Sequence, residues 1–251
     1  VVLAKVRRQA DEEFIEALNR IRLGEDCRDA VALFNRTCFR DRAPDAPVGT
    51  YLVPTNQSAR SINMRELDQL DGQTRLYEAR VGGTVAANKW KLPVPDRLEL
   101  KTGAKVIFLK NRKPDWINGD LATVVGMEDD HIRVRKDETD NVLLVGRETW
   151  HKYKYVYDYQ TRRVEAEVIG SFEQFPLALG WAMTIHKSQG LTLDALTLNL
   201  GEGAFAEGQT YVALSRARML DGISLARPIS MRDVRVDPVV VAFYRELGID
   251  R

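Results

Sequence analysis

The sequence predicts an α/β domain interrupted by a small β-barrel. Three observations carry that expectation. Helix-period apolar patterns alternate with short strand-like runs at both ends of the 251-residue chain. The middle of the chain holds only short runs rich in Val, Ile, Tyr and Thr between turn residues. Composition is that of an ordinary globular protein, with 44% hydrophobic and 29% charged residues.

Between Asp11 and Ile21 the apolar residues fall at Phe14, Ile15, Leu18 and Ile21, one face of an amphipathic helix stopped at Gly24. A second short helix is expected over 27–39. Pro44 and Pro47 mark a loop. The run 50–53 reads as a strand entering Pro54 and Thr55, and Thr55 suits the cap of a helix over 57–70. Candidate strands then follow at 106–109, 122–126, 132–134, 142–145, 153–159 and 164–169, close enough together for a barrel of five or so strands. After Pro176 the alternation returns: a helix to about His186, a strand over 195–200, a helix over 208–215, a strand over 223–225 and a last helix over 238–247. The simplest organisation is one discontinuous α/β domain, 1–96 with 176–251, and a β-insertion at 97–175.

Lys and Arg number 37 against 36 Asp and Glu, so the net charge of +1 leaves any nucleic-acid binding to a local patch. Cys27 and Cys38 are too few for a disulfide scaffold. With only His131, His151 and His186 besides, no metal site is expected, and the default compartment is reducing. The least polar stretch, 175–185, is eleven residues long and holds a proline and a glycine, so no membrane span is expected. The opening Val-Val-Leu-Ala-Lys lacks the features of a secretory signal, and starting without Met suggests processing or a piece cut from a longer chain.

Gly201-Glu-Gly203-Ala-Phe-Ala206 superficially fits a dinucleotide-binding fingerprint. It lies far from a first strand-helix-strand unit, lacks the third glycine and puts Glu202 where a pyrophosphate would sit, so a connecting loop is the better account. A phosphate-binding P-loop needs Gly-Lys-Ser/Thr, and none of the 17 glycines precedes a lysine. The chain holds no self-sufficient ATPase of that class.

Within the run Thr184-Ile-His186-Lys187-Ser188-Gln189-Gly190-Leu-Thr192-Leu-Asp194, the stretch 184–189 packs five hydrogen-bonding side chains, Thr184, His186, Lys187, Ser188 and Gln189, beside apolar flanks. Burying all five without partners is costly, so exposure to a polar ligand such as phosphate and sugar is expected. Tyr211-Val-Ala-Leu-Ser215-Arg216-Ala-Arg218 then ends a helix in two arginines, a favourable place for cations with or without a ligand.

Together, in this order and some twenty residues apart, the two segments resemble motifs V and VI of superfamily 1 DNA helicases, in the 5′-to-3′ branch that includes RecD-like enzymes. Upstream, Arg8-Gln9-Ala-Asp11 with Phe14, Leu18 and Gly24 looks like the opening of the family's second motor domain. Val53-Pro-Thr55-Asn56 with Ile62-Asn63 is similar to its next strand-helix unit, and Leu100-Lys-Thr-Gly103 with Asn118-Gly119 to the start of its SH3-like 2B insertion. The resemblance covers nearly the whole chain.

It implies a RecA-like domain 2A at 1–96 and 176–251, a P-loop-NTPase-type fold without its own P-loop, carrying an SH3-like 2B insertion at 97–175. The partners implied are single-stranded DNA and an N-terminal RecA-like motor domain supplying the P-loop. ATP and Mg2+ are bound only when that domain is present, so this chain alone is expected to be inactive as an ATPase. Arg8 would contact the γ-phosphate and Arg216 would be the arginine finger, a role worth roughly 10³ to 10⁵ in rate. Gln189 and Gly190 would adjoin the nucleotide, while Thr184, His186, Lys187 and Ser188 would line the strand path. Thr55 and Asn56 would be further nucleic-acid contacts. A cytoplasmic (bacterial-type) or otherwise intracellular location follows. One departure is Arg7, where relatives often carry an aromatic residue that stacks on the adenine; an arginine plane can stack instead. The alternatives are a stand-alone nucleic-acid-binding module and a regulatory partner of a P-loop subunit.

Two further features are expected to be structural or solvated as readily as functional. Tyr153, Tyr155, Tyr157 and Tyr159 alternate along one strand, where covering the barrel core is favoured over stacking unpaired bases. The segment 97–113 holds six basic residues against Glu99, a net +5.

Overall fold

The computed structural model describes residues 8–40, 49–83, 92–137, 139–158 and 162–248. The loop prolines 44 and 47, Arg7 and Tyr159 lie outside them. The chain forms two compact units, Val1–Met64 with Trp181–Arg251 and Arg65–Gly180. The second unit therefore takes in segments upstream of the expected 97–175 insertion.

The first unit opens with a helical hairpin. Helix α1 (Glu12–Leu23) begins at Asp11, whose carboxylate accepts from the amides of Glu13 and Phe14, and ends at Gly24 with φ 75°, the left-handed turn glycine tolerates. Helix α2 (Cys27–Cys38) packs on it, and Phe14 meets Phe34 edge-on at 6.1 Å between centroids. Burial pushes the Cys38 thiol up to about 12, so it is an inert core group and not a nucleophile.

Strand β1 (Thr50–Val53) leads into α3 (Asn56–Asp68). Leu52 and Val53 are buried, and Val53 packs with Ala59, Ile62 and Ala182. The sheet is completed by short strands from the C-terminal part of the chain. Second-unit strands are β2 (Arg75–Glu78), β3 (Arg80–Gly83), β4 (Arg97–Leu100), β5 (Lys105–Phe108), β6 (Leu121–Met127), β7 (His131–Lys136), β8 (Val142–Gly146), β9 (Glu148–Asp158), β10 (Arg163–Gln174) and β11 (Leu177–Leu179). First-unit strands are β12 (Ala182–Thr184), β13 (Leu196–Leu198) and β14 (Ile223–Leu225), with helices α4 (Gln209–Leu214) and α5 (Pro238–Glu246). The parallel sheet has the order β12-β1-β13-β14, in register Val53 with Thr184 and Leu52 with Leu198.

Residues 177–185 correct one expectation: they form strands, not a helix reaching His186. All three residues of β12 are buried, and a parallel strand buried on both faces shows no alternation, so a short apolar run of this kind is ambiguous by periodicity. The outer edge of β12 is satisfied by a side chain. Asn63 donates to the Ala182 carbonyl and accepts its amide, both at 2.8 Å. Asn35 does the same for Ile229 at 2.8 and 2.7 Å.

In the second unit five strands form one sheet, β11-β5-β6-β7-β8. Burial alternates residue by residue along β6, as expected for a sheet with one face inward. Its buried face includes Val106, Phe108, Val124, Ile132, Val134 and Leu177. No pairing joins β8 back to β11 among the described residues, so the expected closed barrel is not what these pairings show. The last two expected barrel strands instead form a long hairpin, β9 with β10, joined by β3, and β2 pairs with β4. Gln174, fully buried, braces this region by donating to the carbonyls of Tyr77 at 2.9 Å and Asp96 at 3.2 Å.

The tyrosines fall on the distal part of that hairpin. Tyr153, Tyr155 and Tyr157 stand opposite Val168, Ala166 and Val164 on one face, and Tyr155 is 71% exposed. They do not cover a core, which corrects the favoured structural reading. The basic run 97–113 is largely engaged as well. Lys101 is buried and donates to the Leu70 carbonyl at 2.7 Å, while Lys110 and Arg112 pair with Glu148 at 2.7 and 3.5 Å.

Candidate nucleotide and nucleic-acid site

The site is built at the carboxyl ends of the first unit's parallel strands, where open α/β sheets generally bind ligands. Because β1 and β12 run in parallel and in register, Thr55 and Asn56 after β1 and the turn 185–190 after β12 emerge at the same sheet end. The Ile185 amide donates to the Val53 carbonyl at 2.9 Å and ties the two exits together.

Residues 184–190 do not present one polar face. His186, Lys187, Gln189 and Gly190 are exposed, but Thr184 is buried and Ser188 is fully so. The Thr184 hydroxyl accepts from the Lys187 amide at 3.3 Å, and the Ser188 hydroxyl donates to the Ile185 carbonyl at 2.7 Å. These hydroxyls hold the turn and leave its outward side chains available. That corrects the expectation of five side chains aimed at a ligand. Gly190 sits at φ 86° with open space where a Cβ would be, so the backbone conformation, not crowding, asks for glycine.

Thr55 is the cap of α3: its hydroxyl accepts from the Ser58 amide at 3.1 Å and lies 2.8 Å from the Ser58 hydroxyl. Asn56, exposed, is the first residue of the helix. An open groove beside it is lined by Gln57, Ser58, Ser61, Ile62 and Asn199. These polar groups, Asn199 above all, were not singled out from the sequence, because an isolated Asn after a strand carries no motif.

The second part of the site gathers two arginines around the end of α4. Arg216 is 9% exposed. Its Nε donates to the Val212 carbonyl at 2.8 Å, its Nη1 to the Leu191 carbonyl at 3.3 Å and its Nη2 to the Ser215 hydroxyl at 2.8 Å. Arg8 donates through Nη1 to the Ser215 carbonyl at 2.8 Å and through Nε to the Thr192 hydroxyl at 3.0 Å. Burial pushes the Arg216 guanidinium down, and the like charge of Arg8 adds to that. Among the described residues no carboxylate acts on Arg216, and the neighbouring charge is that of Arg8. A guanidinium has five N–H donors, and three of Arg216 are placed, so two remain to meet an anion among the described residues.

Such a pair suits phosphate oxygens, and the donor set fits a nucleotide's terminal phosphates. It does not fit a metal: among the described residues no three His, Cys, Asp or Glu side chains are grouped to hold one. Gln189 and Gly190 precede the Leu191 and Thr192 contacts of the two arginines, so the turn and the arginine pair are continuous along the chain. Of the expected residues, Arg8 and Arg216 meet at the end of α4, while Thr55, Asn56, His186 and Lys187 follow β1 and β12 at one end of the sheet.

The fold and this site define a mixed α/β protein whose architecture matches solved DNA helicase structures. The chain is 35% identical over 250 residues to the ATP-dependent DNA helicase Pif1 of Bdellovibrio bacteriovorus, covering 98% of this chain and 54% of that protein. It is 36% identical to the human ATP-dependent DNA helicase PIF1, covering 98% of this chain and 37% of the other. Among solved structures, unliganded Pif1 from Bacteroides sp. superposes with a TM-score of 0.84 at 31% identity, over 97% of this chain and 56% of that one. Structures of Bacteroides Pif1 with ADP-AlF4 and bound to ssDNA match at 0.81 and 0.74. No family model matches the chain. The chain spans about half the length, or less, of the relatives it matches.

Proposed function

We propose that this chain is the second motor domain and its insertion from a 5′-to-3′ ATP-dependent DNA helicase, with the P-loop on a separate, N-terminal RecA-like domain. The observation that carries this reading is the buried Arg216 beside Arg8, with no carboxylate among the described residues acting on Arg216, at the sheet end where the turn 185–190 emerges. Likeness to Pif1 helicases over 98% of the chain supports it.

ATP, when bound, supplies the phosphoanhydride whose cleavage drives the motor, and Mg2+ would be held by acidic residues outside this chain. Arg8 binds terminal phosphate oxygens. Arg216, oriented by Val212, Leu191 and Ser215, holds its two remaining N–H groups toward charge that develops during phosphoryl transfer. His186 and Lys187 meet the single strand, with Thr55 and Asn56 on the neighbouring strand exit. The 2A assignment covers 1–96 with 176–251 and the SH3-like 2B assignment 97–175. A DNA substrate places the protein inside the cell. No described helix is long and apolar enough to cross a membrane.

The test is anisotropy of a labelled oligo-dT strand titrated with the chain at low and moderate salt. Expected is salt-dependent binding, weakened by His186→Ala and unaffected by Arg216→Ala. Equal loss from both substitutions would show that the two halves of the site are not separate. The chain alone is expected to show no ATP turnover, and turnover in a clean preparation would overturn the missing-half reading.

A further inference from the structure

We infer that Gln9 is a positioning residue that fixes Arg216 against Arg8, an inference that rests on the phosphate-facing reading of Arg216. Helix α4 ends at Leu214, and the carbonyls just beyond a helix end need partners from elsewhere. Here three consecutive carbonyls find them. The Ser215 carbonyl accepts from Arg8 Nη1 at 2.8 Å and from Gln9 Nε2 at 3.1 Å. The Arg216 carbonyl accepts from the Leu193 amide at 2.9 Å. The Ala217 carbonyl accepts from Gln9 Nε2 at 2.9 Å.

The two donors of the Gln9 amide thus reach the residue on each side of Arg216, while Leu193 grips Arg216 itself through a parallel bridge to Ala217. Gln9 is 8% exposed, so water is a poor substitute for either bond. Its position in sequence matters equally. Gln9 adjoins Arg8, and both side chains end on the same Ser215 carbonyl. The clamp therefore sets the spacing between the two guanidinium groups and makes them one unit.

Other residue types fail this task for stated reasons. Leu keeps the bulk and leaves two buried carbonyls unpaired. Asn is one methylene shorter and cannot span both carbonyls. Glu has no donor at neutral pH and would set a carboxylate against them. Displacements near 1 Å in a preorganised site cost on the order of 10²-fold in rate.

The experiment uses the full-length protein containing the P-loop half, measuring ssDNA-stimulated ATP turnover for wild type, Gln9→Leu, Gln9→Asn, Arg216→Ala and the doubles. Binding of ADP with aluminium fluoride is compared with binding of ADP alone. Expected for Gln9→Leu is a kcat lower by about 10- to 100-fold with KM for ATP and nucleotide-free ssDNA affinity little changed. The preference for the aluminium fluoride complex over ADP should fall with it. In the Arg216→Ala background the Gln9 change should add almost nothing. Gln9→Asn, which keeps one bond, should fall between and serves if Gln9→Leu does not fold. Full additivity with Arg216→Ala, or an unchanged preference for the aluminium fluoride complex, would overturn the inference. An Arg216→Ala protein with undiminished turnover would instead overturn the reading beneath it.

Discussion

Arg8 and Arg216 meet on one residue, Ser215: Arg8 donates to its carbonyl and Arg216 to its hydroxyl, each at 2.8 Å. Among the described residues, the hydrogen-bond partners of both guanidinium groups are neutral oxygens. That arrangement is unfavourable until an anion enters, and the anion gains two oriented donors groups when it does. The two arginines should nevertheless fail differently. In the full-length protein, Arg216→Lys is expected to lower kcat for ATP by about 10³-fold, because lysine cannot reproduce a fork already fixed at three donors. Arg8→Ala should act more on KM, since a contact made equally in ground and transition states is lost as binding. Steady-state turnover across ATP concentration separates the two, and equal effects on kcat would remove the distinction.

Much of this arrangement was legible in the sequence, and the parts that were not have physical reasons. Strands 50–53 and 223–225 and the stop of α1 at Gly24 were readable because local signals, a Pro-Thr exit or a glycine at φ 75°, set them. Strand β12 was not. Its identity is decided by pairing with β1, far away in sequence, and its three buried residues carry no period. The six expected barrel strands exist, but which sheet each joins depends on partners such as β3 and β11 that are too short to announce themselves. The arginine pair is legible from the family motifs, and Gln9 belongs to the same opening segment, but nothing in the sequence says that its amide reaches Ser215 and Ala217. Thr184 and Ser188 misled because a hydroxyl suited to phosphate is equally suited to closing a turn.

Lys187 is exposed on a turn whose shape is held from within, so removing its side chain should change charge and leave the fold alone. Lys187→Ala is expected to weaken oligo-dT binding similarly across base sequences and to reduce the slope of log affinity against log salt by about 1. Ser188→Ala, by contrast, should lower thermal stability by breaking the buried bond to Ile185. Its effect on the salt slope should be nil. Anisotropy at several salt concentrations, paired with thermal melts, checks both.

Asp233 is buried at 1% exposure and receives both arms of Arg227, at 2.7 and 2.9 Å, with the Ser230 amide and hydroxyl and the Ala204 amide completing its shell. Burial pushes this carboxyl up, but the hydrogen bonds from Arg227, Ser230 and Ala204 outweigh it and hold it well below the usual carboxylate range. A depressed pKa in the folded state means that the stabilisation is fully present at neutral pH and is lost as acid titrates the group, from about pH 4 downward. Asp233→Asn should cost about 3 kcal/mol at pH 7, the low end for a broken buried pair because Arg227 is partly exposed. Urea unfolding at pH 7 and near pH 3 should show the gap between the two proteins narrowing in acid. A gap independent of pH would mean that the charge of Asp233 is not what stabilises this corner.

The tyrosine face of β9 poses the opposite case, a large apolar surface with little under it. Tyr153, Tyr155 and Tyr157 and the valines opposite are all exposed, although two-stranded ribbons have little stability of their own. In the isolated chain, Tyr155→Ser should therefore cost less than about 1 kcal/mol, the worth of one cross-strand pair with Ala166. Trp116→Ala should cost about 3–5 kcal/mol, because Trp116 is 2% exposed and stacks on Phe108 at 4.7 Å. Urea denaturation of both variants decides it. If Tyr155→Ser proves as costly as Trp116→Ala, the ribbon is covered in solution and its tyrosines belong to a core after all; a small cost leaves that face free of any role in holding the fold.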